Sequence, residues 1–324
     1  MSGISRLLES GTKCVAALLL FGGLALGAQT YPAAGLVMKV NADRNEVVVS
    51  MREIPGYMEA MVMPLAVHHR RDLRELRPGM MVDFTLQVVE NSAFAENLRV
   101  RPFENLENDP QAACRLAIIE NAMGPKTPSA TQIAIGEHVR DFSLTDQNRR
   151  VVPLSQFSGK VIAMTFVYTR CPLPNFCLRL SGNFGQVQRR FNKQMGRDLI
   201  LLSVTLDPAN DQPDALSKYA SIWKANGDSW HFLTGPPSAI KEVAGMFGVV
   251  FNQDEGTMTH SLHTVLIDRQ GNLRANLEGN EFTGKQLGDL IEAELDRGPD
   301  LASSERPNLA RGASVSSTFF ALPR

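Results

Sequence analysis

The segment from Val161 to Cys177, VIAMTFVYTRCPLPNFC, constrains the fold more than any other part of this sequence. It opens with a run of β-branched and aromatic residues, which is typical of a strand buried on both faces. The run ends at Cys171, and Pro172 and Pro174 then force a loop before the second cysteine. Apolar residues at helical spacing begin directly after that cysteine. The segment therefore predicts a strand, a loop with two cysteines and a helix.

A cysteine pair at a helix N-terminus favours thiolate, because the end of the helix carries a partial positive charge. A thiolate binds a soft metal ion or attacks a disulfide. A purely structural disulfide is a third interpretation. It is the weakest of the three, since a bridge between Cys171 and Cys177 closes a short loop and stabilises little.

The composition and the N-terminus indicate an exported protein with two domains. The chain has 324 residues, of which 44% are apolar, so it is long enough for two cores. The net charge of -1 and the lack of a patch of mixed basic and aromatic residues give no reason to expect a nucleic-acid partner. Residues 1–28 combine basic residues, a short apolar run and small residues, which predicts a secretory signal peptide. An uncleaved membrane anchor is the alternative, and it is the one membrane contact that we expect.

Changes in residue pattern divide the rest of the chain. Residues 35–101 alternate like short strands and predict a small β-barrel, and residues 299–324 predict a flexible tail. Between them we expect a linker at 102–134 and a second domain at 135–298. Cys114 lies in the linker, where it is either a buried, inert thiol or a partner in disulfide exchange with the main pair.

Four methionines cluster in the barrel segment MREIPGYMEAMVM, at Met51, Met58, Met61 and Met63. Met61 and Met63 are two positions apart, so on a strand they share a face. The loop through Gly56 can fold Met58 back towards them. Methionine also fills irregular cores, but converging thioethers in an exported protein form a soft site that suits Cu(I).

The stretch IPGYMEAMVMPL resembles the small periplasmic copper-binding barrels of the CusF type, in which two methionines, an aromatic residue and a histidine hold Cu(I). Met61 and Met63 match the methionine pair of that family. Met51 stands near the position of the family's histidine, and Met58 stands at that of its aromatic residue. We therefore predict a Cu(I) site of thioethers, which depends less on pH than a site with imidazole.

From Gly136 onwards strands alternate with helices, which predicts a central sheet with helices on both faces, in the order of a thioredoxin-like fold. The predicted fold class is thus α/β, a thioredoxin-like domain preceded by a small all-β, OB-like barrel. Four motifs in this part, GEHVRDFSLTDQ, GKVIAMTFVYTRCPLPNFC, SVTLDP and THSLHTVLID, resemble the Sco/SenC family of thioredoxin-like copper proteins. The resemblance covers about Gly136 to Arg297.

In that family two cysteines and one distant histidine bind a single copper ion. The resemblance implies Cys171 and Cys177 as ligands, with His260 as the expected histidine and His263 as the alternative. If His263 is not the ligand, we expect it beside the site, as we do Asp207, which matches an acidic residue of the family. The sequence departs from the family pattern in having five residues between the cysteines where three are usual, and a leucine where a proline follows the second.

The resemblance implies a periplasmic metallochaperone that carries Cu(I) and delivers it by ligand exchange to the copper-site subunit of cytochrome c oxidase or to another periplasmic copper protein. On this hypothesis the barrel loads copper and passes it across the linker to the cysteines. The rival hypothesis is a thiol-disulfide oxidoreductase that reduces the cysteines of the recipient and needs a thioredoxin-like reductant as its own partner. A copper-stress sink or redox sensor is a third. The sequence does not decide whether the protein is an enzyme.

Overall fold

The computed structural model describes residues 29–89, 92–101, 132–254 and 257–297. The predicted signal peptide or anchor, Cys114, nearly all of the predicted linker and the predicted tail lie outside these residues. Within the described ranges, the structure has no helix of the length and apolar character needed to span a membrane.

The N-terminal unit is a barrel, which in the described residues is closed by five strands in the order β1-β2-β3-β5-β4. These strands are β1 (Gln29–Asn41), β2 (Glu46–Met51), β3 (Val62–Ala66), β4 (Met81–Val89) and β5 (Ser92–Val100). Along β2, Val47, Val49 and Met51 pack into the barrel, while Val48 and Ser50 face the second unit. Closure leaves few open sheet edges, which is the physical reason for expecting a barrel from short alternating strands.

The second unit is built on a sheet that, in the described residues, has seven strands in the order β14-β13-β8-β9-β10-β6-β7. The remaining strands of the chain are β6 (Ser143–Asp146), β7 (Val151–Pro153), β8 (Val161–Val167), β9 (Leu199–Thr205), β10 (Trp230–Thr234), β11 (Phe251–Asp254), β12 (Thr257–His260), β13 (His263–Ile267) and β14 (Leu273–Glu278). The helices are α1 (Arg179–Arg190), α2 (Pro213–Ile222), α3 (Pro237–Met246) and α4 (Gly284–Leu295).

Helices cover both faces of this sheet. On one face, α1 contributes Leu180, Phe184 and Val187 to a core that it shares with α4. On the other face, α3 contributes Ile240 and Val243 to a second core. β8 lies between β9 and β13, and all seven of its residues are buried. The predicted fold class, a thioredoxin-like unit preceded by an all-β barrel, is confirmed.

The structure differs locally from the predicted pattern at the cysteine loop. Where we expected an irregular loop, an irregular helical turn runs over Pro174–Leu178, and Phe176 has non-helical angles of φ -106° and ψ -108°. Pro174 begins this turn because proline is tolerated at a first helical position. The hairpin of β11 and β12 was not predicted.

The barrel packs directly against the second unit, in addition to the predicted covalent connection. Leu36, Met38 and Met81, on the outside of the barrel, belong to the same apolar cluster as residues of α4. The Ser50 hydroxyl donates a hydrogen bond to the Asp289 carboxylate (2.7 Å), and the Gln286 amide donates to the Ser50 carbonyl (2.9 Å). The two units therefore share a buried interface.

Candidate metal centre

Cys177 and His260 meet at the end of β8, with Cys177 Sγ 3.7 Å from His260 Nε2. The other ring nitrogen, Nδ1, lies 2.9 Å from the Ser261 carbonyl oxygen. Because a carbonyl can only accept, Nδ1 carries the proton and the Nε2 lone pair faces the sulfur. Burial lowers the pKa of His260 to about 4, so the ring is neutral at pH 7. A neutral imidazole with one nitrogen held by a carbonyl is the form that ligates metals.

The two cysteines are not joined in a disulfide, and the interaction between their side chains makes them chemically different. The side-chain hydrogen bond with Cys177 lowers the pKa of Cys171 to about 6, against the opposing effect of burial. The same hydrogen bond, together with burial, raises the pKa of Cys177 above the usual range of a thiol. At pH 7, therefore, partly exposed Cys171 is a thiolate, whereas buried Cys177 is a thiol.

Tyr168, which the sequence reasoning did not single out, closes the site from one side. Its ring meets the His260 ring edge-on, with 5.7 Å between centroids, and its hydroxyl donates to the Met258 carbonyl at 3.4 Å. Burial, followed by the nearby cysteines, raises the pKa of Tyr168, so the phenol stays protonated and donates. The sequence feature that could have identified Tyr168 as a site residue is its position three residues before Cys171.

Two carboxylates anchor the first residues of the cysteine loop. Asp207 is buried and accepts a hydrogen bond from Arg170 (2.7 Å), the residue before Cys171. Asp211 was not predicted; it accepts from the backbone N–H of Thr169 (3.0 Å) and from the hydroxyls of Thr169 and Thr205 (2.5 Å each). Asp207 thus reaches the site through Arg170, and Asp211 fixes the backbone from which the loop leaves β8.

His263, the alternative ligand, is held elsewhere. Its Nδ1 lies 2.9 Å from Asn276 Oδ1 on the neighbouring strand, and the Asn276 amide donates to the Phe247 carbonyl. Of the two histidines, His260 is the one that the structure brings to Cys177. Across the residues that the structure describes, no three histidine, cysteine, aspartate or glutamate side chains form a group that could hold a metal ion as it stands.

The four predicted methionines lie at one end of the barrel. Met51 is fully buried, and its N–H donates to the Met61 carbonyl across the strand pair (2.8 Å). Met63 lies opposite Val49 and packs against the barrel core, whereas Met61 precedes β3. A tight turn pairs Met58 with Ile54. Met61 is 49% exposed, so this end of the barrel is open to solvent.

An aromatic pair that was not predicted stands at the same end. Tyr31 and Tyr57 stack with 3.9 Å between ring centroids, and Tyr57 directly precedes Met58. The sequence signal was the aromatic residue beside that methionine. His68 and His69 are both exposed, and His68 stacks on Phe94 and contacts Glu96 at 3.3 Å.

Comparisons with known proteins match both units. The family model described as SCO1/SenC matches residues 131–295, and the model described as copper binding periplasmic protein CusF matches residues 30–95. The SCO1 protein homolog of Bacillus subtilis is 28% identical over 149 residues, which are 45% of this chain and 76% of that protein. The SCO2-like protein RC0895 of Rickettsia conorii is 30% identical over 158 residues, 45% of this chain and 74% of the relative. A solved structure of Bradyrhizobium japonicum ScoI with copper bound is 24% identical with a TM-score of 0.41, over 50% of this chain and 99% of that one.

Proposed function

This chain belongs to the SCO1/SenC family, and from that premise we propose that it carries Cu(I) on Cys171, Cys177 and His260 and delivers it by ligand exchange. One observation carries the proposal. A neutral imidazole presents its free lone pair to Cys177, and Cys171 is already a thiolate. Two sulfurs and one imidazole suit Cu(I), and a ligand set of three leaves one side from which a recipient can enter.

Binding at this site releases one proton and moves no electron. Cys171 is already deprotonated at pH 7, so the Cys177 thiol loses its proton as its bond to copper forms. Delivery reverses this step, because a donor atom of the recipient replaces each ligand in turn and Cys177 takes its proton back. The copper stays Cu(I) throughout.

We propose a second Cu(I) site at Met51, Met58, Met61 and Met63, supported by the match to the CusF model and by their common position at one end of the barrel. We also propose that residues 1–28 export the chain to the periplasm or hold it at the inner membrane. The recipient in this proposal is the copper-site subunit of cytochrome c oxidase or another periplasmic copper protein.

The competing function is thiol-disulfide exchange, and the difference between the cysteines favours it. The Cys171 thiolate would attack a substrate disulfide and form a mixed disulfide. Cys177 would then lose its proton and attack Cys171, releasing the substrate as a dithiol and leaving Cys171 and Cys177 oxidised. A thioredoxin-like dithiol would return the two electrons.

Copper stoichiometry of the reduced protein tests the choice. We expect about two Cu(I) per wild-type chain, and about one after Cys171→Ser, Cys177→Ser or His260→Ala, because each change removes a donor from the cysteine site. Competition with a chromophoric Cu(I) chelator measures both number and affinity. The matched control is His263→Gln, which keeps a donor for Asn276 and should retain both ions.

Three outcomes would contradict the proposal in different ways. Loss of one copper in His263→Gln but not in His260→Ala would make His263 the ligand. If a Met61→Leu, Met63→Leu variant still binds two ions, the proposed methionine site in the barrel is wrong. If copper binds only to the barrel, and Cys171 and Cys177 interconvert between dithiol and disulfide at a measurable potential, the second unit is an oxidoreductase.

A further inference from the structure

Gly279–Thr283, here called the strap, connects β14 to α4 and lies between the barrel and the cysteine loop. It begins at Gly279, whose φ of 84° favours glycine and whose N–H donates to the Leu262 carbonyl at 2.7 Å. It ends at Thr283, which caps α4 through a reciprocal pair of hydrogen bonds with Gln286. Both ends of the strap are thus fixed to the second unit.

Two arginines of the barrel contact Glu281 in the strap. Arg52 Nη2 donates to the Glu281 backbone carbonyl at 2.5 Å and lies 3.6 Å from the carboxylate. Arg101 Nη1 donates to the same carboxylate at 3.1 Å. The Glu281 side chain is only 17% exposed, so these contacts are partly shielded from water. Arg52 directly follows Met51, the buried methionine of the proposed barrel site.

The other side of the strap contacts the cysteine loop and the start of α1. Arg179, two residues after Cys177, donates to the same Glu281 carbonyl at 3.4 Å. The Asn280 amide donates to the Asn175 carbonyl within the loop, and the Asn183 amide donates to the Phe282 carbonyl at 3.1 Å. A single carbonyl oxygen therefore accepts hydrogen bonds from arginines that flank the two candidate sites.

We propose that the strap couples the barrel to the cysteine loop, and that Arg52 and Glu281 are positioning residues that hold this loop in register with the methionine end of the barrel. This inference rests on the proposed function, and it assigns the barrel a fixed partner, the cysteine site of its own chain. In the transfer, bonds from copper to thioether sulfur break as bonds to the cysteine sulfurs form. Cys177 gives its proton to water, and copper remains Cu(I).

The physical reason for a strap is the geometry of ligand exchange. Donor atoms must replace one another within bonding distance, and fixed positioning removes much of the search that two tethered domains would otherwise make. The salt bridges contribute little to stability at such partly exposed positions. Their directed hydrogen bonds are better suited to holding the relative positions of two surfaces.

The first test needs no copper. Hydrogen exchange of the reduced, metal-free protein should show faster exchange of amides in residues 172–178 in an Arg52→Ala, Arg101→Ala double variant. The matched control is Arg99→Ala, which removes an exposed arginine from the same barrel. Arg52→Lys, placed in the Arg101→Ala background, keeps the positive charge and an N–H donor at position 52, so it should restore part of the protection. Unchanged exchange in the double variant would overturn the coupling.

The second test follows transfer in a single turnover. One equivalent of Cu(I), added as its weak acetonitrile complex, should first load the exposed methionine end and then move to the cysteines in a phase that is independent of protein concentration. Ultraviolet absorption of the copper-thiolate bonds reports that phase. We expect it to slow by about tenfold or more in the double variant, with the equilibrium affinity of each site unchanged.

The two failures are distinguishable. If the wild type shows no transfer phase, the copper relay in the proposed function fails, and with it the role of the strap in transfer. If transfer occurs but has the same rate in the double variant and in Arg99→Ala, the relay stands and the strap has no part in it. If the transfer rate falls only as much as the Cu(I) affinity of a site falls, Arg52 and Arg101 support the structure of that site and do not couple the two sites.

Discussion

At the scale of single residues, the cysteine pair shows how position separates two identical side chains. Cys177 is fully buried and Cys171 is partly exposed, and one hydrogen bond between them sets which carries the negative charge. The negative charge is thus on the sulfur that solvent and a partner can reach. This polarity serves both proposed functions, because a reachable thiolate starts metal capture as well as disulfide attack.

The reactivity of Cys171 should therefore depend on pH. Alkylation of the reduced, metal-free protein should rise with pH and reach half its maximal rate at about pH 6, because the thiolate reacts and its pKa is lowered to about 6. Cys177→Ala removes the hydrogen bond and should move the midpoint towards the ordinary range of about 8.5, with roughly two- to threefold slower alkylation at pH 7, because the loss of thiolate is partly offset by its higher nucleophilicity. Mass spectrometry of the modified peptide measures both.

A Cys114→Ser background serves as the control, because it removes a thiol that lies outside the described residues. Superimposable pH profiles for wild type and Cys177→Ala would show that the hydrogen bond does not set the charge of Cys171.

The sequence predicted Cys171, Cys177 and His260 as a set through the family resemblance, but not the residues that support them. Tyr168 and Asp211 act through tertiary contacts. Tyr168 meets a ring 92 positions away in the chain, and Asp211 binds the backbone of a preceding loop. No local pattern of residue types encodes such contacts. Their roles therefore become visible only when the fold brings distant segments together.

At the scale of elements, the loop between β8 and α1 is held at its start by Asp211. In the part of the chain that the structure describes, this carboxylate accepts hydrogen bonds from Thr169 and Thr205, at the ends of two neighbouring parallel strands. The departure point of the loop is thus rigid, whereas the turn at Pro174–Leu178 has irregular geometry. The irregular turn that carries Cys177 therefore begins from a fixed point.

Asp211→Asn should destabilise the second unit by about 2–3 kcal/mol, because a buried amide can accept at only one oxygen and leaves a hydroxyl or N–H without a partner. It should also speed hydrogen exchange at residues 169–171. Urea unfolding at pH 7 measures the first effect. Asp214→Asn, at a carboxylate that is 78% exposed, is the control and should change stability by less than about 0.5 kcal/mol. Equal stability of the two variants would contradict this role.

Periodicity explains which elements could be predicted. β8 and α1 have strong apolar patterns, and the structure forms both close to the expected bounds. The hairpin of β11 and β12 has the sequence FNQDEGTMTH, which lacks sustained alternation, so nothing local distinguished it from a loop. That hairpin nevertheless carries His260. The geometry at Phe176 was equally hidden, since two prolines indicate a break in regular structure but not its shape.

At the scale of the whole molecule, the barrel and the second unit form one packed body through α4. The Asp289 carboxylate on that helix accepts hydrogen bonds from Lys285 (2.8 Å), Ser50 (2.7 Å) and Arg190 (2.8 Å). Burial opposes ionisation, but these three donors outweigh it and hold the pKa of Asp289 below its usual range. One carboxylate thus joins a strand of the barrel to two helices of the second unit.

A depressed carboxylate pKa stabilises the fold above the pKa of the unfolded chain, and this contribution is lost as pH falls through the folded value. Asp289→Asn should therefore cost about 1–3 kcal/mol at pH 7 and progressively less as the medium becomes more acidic than about pH 4. Urea unfolding of both proteins between acidic pH and pH 7 measures this difference in the free energy of unfolding. Glu292→Gln, 54% exposed on the same helix, is the control. A deficit that stays constant with pH would show that the charge of Asp289 contributes nothing.

The sequence predicted two units, but it predicted a tether between them and not a docked interface. Leu36 and Met38 alternate with other apolar residues of β1, so their pattern does not distinguish an outer face covered by a helix from the inner face of a barrel. The decisive contacts join residues more than 200 positions apart, such as Ser50 and Asp289. Single-sequence patterns carry no information at that separation.

The shared core limits how such a protein can form by gene fusion and how it tolerates deletion of one unit. The outer face of the barrel contributes apolar side chains to the packing around α4, so neither unit is structurally independent of the other. Recombination that joined a barrel gene to a thioredoxin-like gene would give a soluble, docked product only after both surfaces had been remade to fit. Excising residues 35–101 would, conversely, expose an apolar patch and favour self-association. A substitution in one of the two packed surfaces must therefore be matched in the other if the units are to stay docked.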